Sequence, residues 1–133
     1  MEENFSRRFY TYSTGYINVG AVAGAATAAN INISNAYDFE CVYLTGAVEQ
    51  AFLLIANWSG LLQIDDSNVA HTWFDQVGGV PFMAVVGNGP QPYPITFPRL
   101  VKGNTTLNVT FTQRQAVATN VNLVLNGYLR IPN

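Results

Sequence analysis

Leu107, Val109 and Phe111 alternate with Thr106, Asn108, Thr110 and Thr112, the period of two of a strand with one buried and one wet face. A polar connector from Gln113 to Asn120 follows, and the alternation resumes with Val121, Leu123 and Leu125. Asn126-Gly127 lies between apolar runs, which is the strongest short-range signal for a two-residue hairpin. Phase argues against a turn there. A strand that runs straight on keeps Val121, Leu123, Leu125, Gly127, Leu129 and Ile131 on one face, whereas a hairpin sets Leu123 beside Arg130. One long strand is therefore expected, with Gly127 at a bulge or a close backbone approach.

Upstream the same pattern recurs in weaker form. Val19 to Ala29 reads as a small-residue loop leading into a strand with Ile31 and Ile33 inward, followed by a turn at Ser34-Asn35-Ala36. Tyr37 to Val48 is the next strand, with Phe39, Cys41 and Tyr43 on one face and Asp38, Glu40, Val42 and Leu44 on the other. Ala51 to Ala56 is a continuous apolar run of strand length. Turns are expected at Asn57 to Gly60 and at Asp65 to Asn68, on either side of Leu61 to Ile64. Val69 to Phe74, Val80 to Val86 and Ile95 to Phe97 are further short strands. Prolines 90, 92 and 94 confine Gly87 to Pro94 to an edge or loop. Short strands with frequent turn signals and no helical period predict an all-β antiparallel sandwich or barrel, with the sandwich preferred, over residues 15–133, preceded by an extended amino-terminal arm over 1–14. Phe9, Tyr10 and Tyr12 fit both an opening strand and an anchor that docks on a neighbouring subunit.

Composition shifts the picture towards assembly. Only 11% of the 133 residues are charged, against about 25% in ordinary soluble domains. A surface of amides and hydroxyls is soluble but does little to discourage association. The net charge of −2 gives no basic footprint, so no direct nucleic-acid contact is expected. A single cysteine, Cys41, excludes an intrachain disulfide and a cysteine-based zinc site. Neither a signal peptide nor a membrane span is evident, which suits cytosolic synthesis and no membrane partner.

Candidate chemistry is thin, and no cofactor, metal or catalytic residue is expected. His71 with Asp75 suggests a base and its orienting carboxylate, but no nucleophile motif accompanies them, and a surface histidine explains His71 as well. Asp65 and Asp66 lack the spacing of a calcium loop. Asp38 and Glu40 are a conceivable glycosidase pair, yet charges on an exposed strand edge account for them more simply. Gly87-Asn88-Gly89 lacks the sequel of a phosphate loop. Trp58 and Trp73 suit sugar stacking or core and interface packing.

One segment carries a family likeness. PITFPRLVKGNTTLNVTFT, a polar linker and then VNLVLNGYLRI, over residues 94–131, resembles small tailed-phage virion proteins. In that pattern a proline-flanked apolar segment leads to a basic-Gly-Asn turn, a strand ending Val-Thr-Phe-Thr and a last strand ending Leu-x-Gly-Tyr-x-x-Ile. The resemblance implies a jelly-roll-like β-sandwich acting in the virion as a capsid decoration or cement protein. It carries over no catalytic residue. The expected function is thus a non-enzymatic virion protein that binds the major capsid lattice as a symmetric homo-oligomer, a trimer ahead of a pentamer. The alternatives are a vertex, neck or tail component, or a carbohydrate- or receptor-binding module. Partner contacts are expected from Phe5, Arg7, Arg8, Phe9, Tyr10 and Tyr12 in the arm, and from Trp58, Trp73 and Tyr93 in loops.

Overall fold

In chain order the elements are β1 (Phe5–Ser13), β2 (Ile17–Asn18), β3 (Ala26–Ile33), β4 (Asp38–Gln50), β5 (Leu53–Leu54), β6 (Leu61–Asp66), β7 (His71–Thr72), β8 (Val80–Pro81), α1 (Phe82–Val86), β9 (Pro94–Val101), β10 (Thr105–Thr112) and β11 (Asn120–Pro132). The computed structural model describes residues 5–33, 36–55, 57–67, 71–73, 79–86 and 94–132. The expected turn at Ser34-Asn35, the Gly87 to Pro92 stretch, Asp75 and Tyr93 lie outside these.

All strand pairs are antiparallel. A six-stranded sheet runs β1-β11-β4-β5, with β2 also on β11 and β9 also on β4. A five-stranded sheet runs β3-β10-β6-β7, with β8 also on β6. The last strand thus lies between β1 and β4, and the one before it lies between β3 and β6. Successive long strands wind from one sheet to the other, which makes the fold a jelly-roll-like β-sandwich. Its core is filled from both inner faces: Ile31, Ile33, Leu62, Ile64, Leu107, Val109 and Phe111 from one sheet meet Phe39, Cys41, Leu44, Val48, Val121, Leu123, Leu125 and Leu129 from the other.

β11 is one uninterrupted strand, as its phase requires. Asn126 pairs with Tyr43 and Gly127 with Cys41, so Val42 is an extra residue on β4 and the bulge lies opposite the glycine. The bulge overturns the expected facing of β4. Phe39 and Cys41 are buried before it and Leu44 and Val48 after it, while Tyr43 is only half-buried. One inserted residue inverts a period of two, so Leu44 joins the core and Tyr43 leaves it.

Three further expectations are corrected. Residues 5–13 are no free arm: β1 pairs with β11 from Phe5↔Pro132 to Ser13↔Val124, and the Tyr12 ring meets Phe39 edge-on at 5.0 Å. Val80 to Val86 is a strand only over β8. Pro81 has no N–H to continue a ladder but suits the start of a helix, and Phe82 and Val86, four apart, both reach the core from α1. Ala51 to Ala56 is not a buried strand, because β4 runs to Gln50 and its turn falls inside the apolar run. β9, with Pro94 and Pro98, pairs with β4 alone among the described residues, the edge setting that prolines need.

Candidate functional site

Two surfaces of the sandwich stand out, and neither is a cleft. The first is β1. It pairs on one side with β11 and stands at the end of its sheet. Alternation divides its side chains. Phe5, Arg7 and Phe9 lie over the outer face, while Arg8, Tyr10 and Tyr12 point to the inner side, where only Tyr12 packs against the core. Phe9 keeps 53% of its surface exposed and Tyr10 40%. Phe9 meets Tyr128 edge-on at 5.9 Å, and Tyr10 meets Tyr12 at 4.9 Å.

The outer end of this strand is pinned by charge. Glu40 Oε1 accepts hydrogen bonds from Arg130 Nε at 3.0 Å and Nη2 at 2.8 Å, with Arg7 Nε 3.6 Å away. The Arg7 and Arg130 guanidinium carbons stand 5.0 and 4.6 Å from the Phe5 ring centre. Phe5 is thereby held between two cations. Asp38 is engaged as well: its carboxylate accepts from Gly103 N–H at 3.0 Å and faces Lys102 Nζ at 3.5 Å. Asp38 and Glu40 thus each hold a cation of the fold.

The second surface is the end of the sandwich where β10 hands over to β11. Gln113, fully buried, organises it. Its Oε1 accepts from Trp58 Nε1 at 2.9 Å and from the N–H groups of Arg114 and Gln115, both at 3.1 Å. Its Nε2 has the Gly20 carbonyl at 2.7 Å, the Val117 carbonyl at 2.9 Å and Thr119 Oγ1 at 3.0 Å. One amide thus ties the backbone at Gly20 and over 114–117 to the side chains of Trp58 and Thr119, and its own polar atoms are satisfied as a buried amide requires. Gly24 N–H donates to the Gln113 carbonyl, and Gln50 Nε2 donates to Gln115 Oε1 at 2.8 Å, so the β4–β5 tip joins the same network.

That tip is apolar and exposed. Gln50 pairs with Leu53 across a two-residue turn in which Ala51 and Phe52 have φ of 52° and 62°. Phe52, Leu53 and Leu54 are 87%, 70% and 73% exposed. Tyr16, Val22 and Val117, on neighbouring loops, are exposed too.

Of the contact residues expected from sequence, Phe5, Arg7, Arg8, Phe9, Tyr10 and Tyr12 share one strand, and Tyr93 lies outside the described residues. Trp58 and Trp73 are corrected: each is 3% exposed, so neither is offered to a partner. The Trp58 ring packs edge-on against Phe82 at 5.6 Å with its N–H on Gln113, and Arg99 stands 5.9 Å from the Trp73 ring centre. The polar handle that makes tryptophan useful at interfaces is satisfied internally in Trp58. The His71–Asp75 pairing lies outside the described residues. Asp65 and Asp66 are the last residues of β6 instead of a turn, and Asp65 accepts from Thr72 Oγ1 at 2.7 Å and Gln63 Nε2 at 2.9 Å. Among the described residues, no three His, Cys, Asp or Glu side chains gather into a metal-binding group. Burial pushes the Cys41 thiol up to about 12, which keeps it protonated and unreactive at neutral pH. Sequence reasoning missed Gln113 and the Phe52 tip. The absence of charge from Gln50 to Ile64 was the available signal for the tip.

No known protein family, curated protein or solved structure matches the chain.

Proposed function

We propose that the chain is a non-enzymatic virion structural protein, a capsid decoration or cement subunit that binds the major capsid lattice as a symmetric oligomer. The observation that carries this reading is β1: a nine-residue strand at the end of its sheet among the described residues, presenting Phe9 and Tyr10 to solvent. Exposed edges of this length invite strand pairing, and aromatic side chains supply contact area at low entropic cost. The likeness of residues 94–131 to small tailed-phage virion proteins and the jelly-roll-like winding support it from another direction. Vertex, neck and tail positions in the virion use the same surface with a different symmetry. The carbohydrate-binding alternative keeps its exposed tyrosines, such as Tyr10, Tyr16 and Tyr37, but not Trp58 and Trp73, which are packed inside.

The test uses particles stripped of the chain and the purified protein added back. Phe9→Ser with Tyr10→Ser leaves the core contact of Tyr12 in place and is expected to lower particle occupancy at least about tenfold, from the loss of two aromatic contacts. Unchanged occupancy would remove β1 as the docking strand.

A further inference from the structure

The β4–β5 tip combines two features that rarely coincide. Ala51 and Phe52 both occupy the left-handed region, which Gly, Asn and Asp tolerate and residues with larger side chains do not favour. The turn they form holds three large apolar side chains almost wholly in water. A strained backbone that displays Phe52, Leu53 and Leu54 costs stability twice, once in conformation and once in exposed apolar surface. Among the described residues nothing covers this display.

Shape and charge indicate what does. Leu53 and Leu54 are consecutive strand residues and point to opposite sides of the hairpin, with Phe52 at the apex. A flat protein face covers one side of such a knob, whereas a fluid apolar layer surrounds it. The turn closes on itself through the Gln50–Leu53 pair, and Ile55 N–H donates to the Val48 carbonyl at 2.9 Å, so little backbone is stripped of partners on entry. Between Phe9 and Tyr37, Gln50 and Ile64, and Gln115 and Leu129 the chain has no Asp, Glu, Lys or Arg, so the loops at this end are uncharged apart from the flanking Glu49 and Arg114. A basic belt for anionic headgroups is missing from these segments. Tyr16, Val22 and Val117 widen the apolar rim.

We propose that this end of the sandwich is a lipid-contacting tip, with Phe52, Leu53 and Leu54 inserting into the interfacial layer of an uncharged, zwitterionic phospholipid bilayer. The insertion is shallow and reversible, because only the three side chains of one tight turn enter the layer. The surface is separate from β1, so the proposal stands or falls independently of the capsid reading.

Flotation of the full chain with phosphatidylcholine vesicles, with and without phosphatidylserine, tests it. Saturable binding is expected, little changed by phosphatidylserine or by salt, weaker by about tenfold in Phe52→Ser and abolished when Phe52, Leu53 and Leu54 are all changed to Ser. A second variant guards against a folding artefact. Ala51→Asn with Phe52→Gly supplies the residues that this turn prefers, so it should melt higher than the parent and still bind at least about tenfold less. No binding by the parent, binding only to phosphatidylserine vesicles, or unchanged binding by either multiple variant overturns the proposal. So does a soluble oligomer that the triple variant dissociates, which would assign the tip to a second copy of the chain.

Discussion

Gly127 has no room for a side chain. An ideal Cβ there would stand 1.9 Å from the Glu40 carbonyl oxygen and 2.8 Å from its carbonyl carbon, both backbone atoms of the paired strand. The bulge at Val42 presses the Glu40 backbone against β11, and only a hydrogen fits between them. Gly127→Ala must part the two central strands of the larger sheet, and a cost of about 3 kcal/mol or more is expected. Chemical denaturation of the variant checks this, and a loss below about 0.5 kcal/mol would mean that the bulge adapts freely. Gln113 is an opposite kind of necessity, a side chain that cannot be removed because three buried or half-buried donors and three acceptors converge on it. The glycine was legible in the sequence because phase excluded the hairpin that Asn-Gly suggested. Gln113 was not, since a glutamine at the start of a polar connector looks like any other until the loops fold around it.

The strands show where periodicity suffices and where it fails. β10 and β11 face as their alternation predicts, because nothing interrupts either strand's own count. β4 departs from its pattern at one bulge, whose cause lies in the partner strand and so cannot be read from β4 alone. α1 and the β4–β5 tip share another cause. Short apolar runs such as Phe82 to Val86 and Ala51 to Ala56 have no period to read, and tertiary context decides between strand, helix and turn. β1 is the element whose status matters most for function. Its sequence suited both an anchor and a strand, and its nine pairs with β11 make it a strand. Deleting residues 1–12 is therefore expected to bare the β11 edge, empty the Tyr12 site beside Phe39 and abolish cooperative thermal unfolding. A truncated chain that melts cooperatively within about 2 °C of the parent would instead make β1 a detachable arm.

At the scale of the whole molecule, the ion pairs among the described residues gather at one end of the sandwich. Arg7, Glu40 and Arg130 cluster at one end of the larger sheet, with Asp38 and Lys102 paired near them. The Gln113 end carries Glu49 and Arg114 at its flanks and is studded with exposed apolar side chains. The low charge was legible in the composition, while the apolar end appears only when the winding brings loops from distant parts of the chain together. Such a molecule suits a position on a shell, with an edge strand for the lattice and a free end directed elsewhere. Copy number decides this most directly, because closed symmetric shells fix how many equivalent sites exist. Quantitative mass spectrometry of purified particles is expected to find the chain at a constant ratio to the major capsid protein, on the order of hundreds of copies per particle. About a dozen copies or fewer would move it to a neck or tail ring, and its absence from purified particles would contradict the virion assignment altogether.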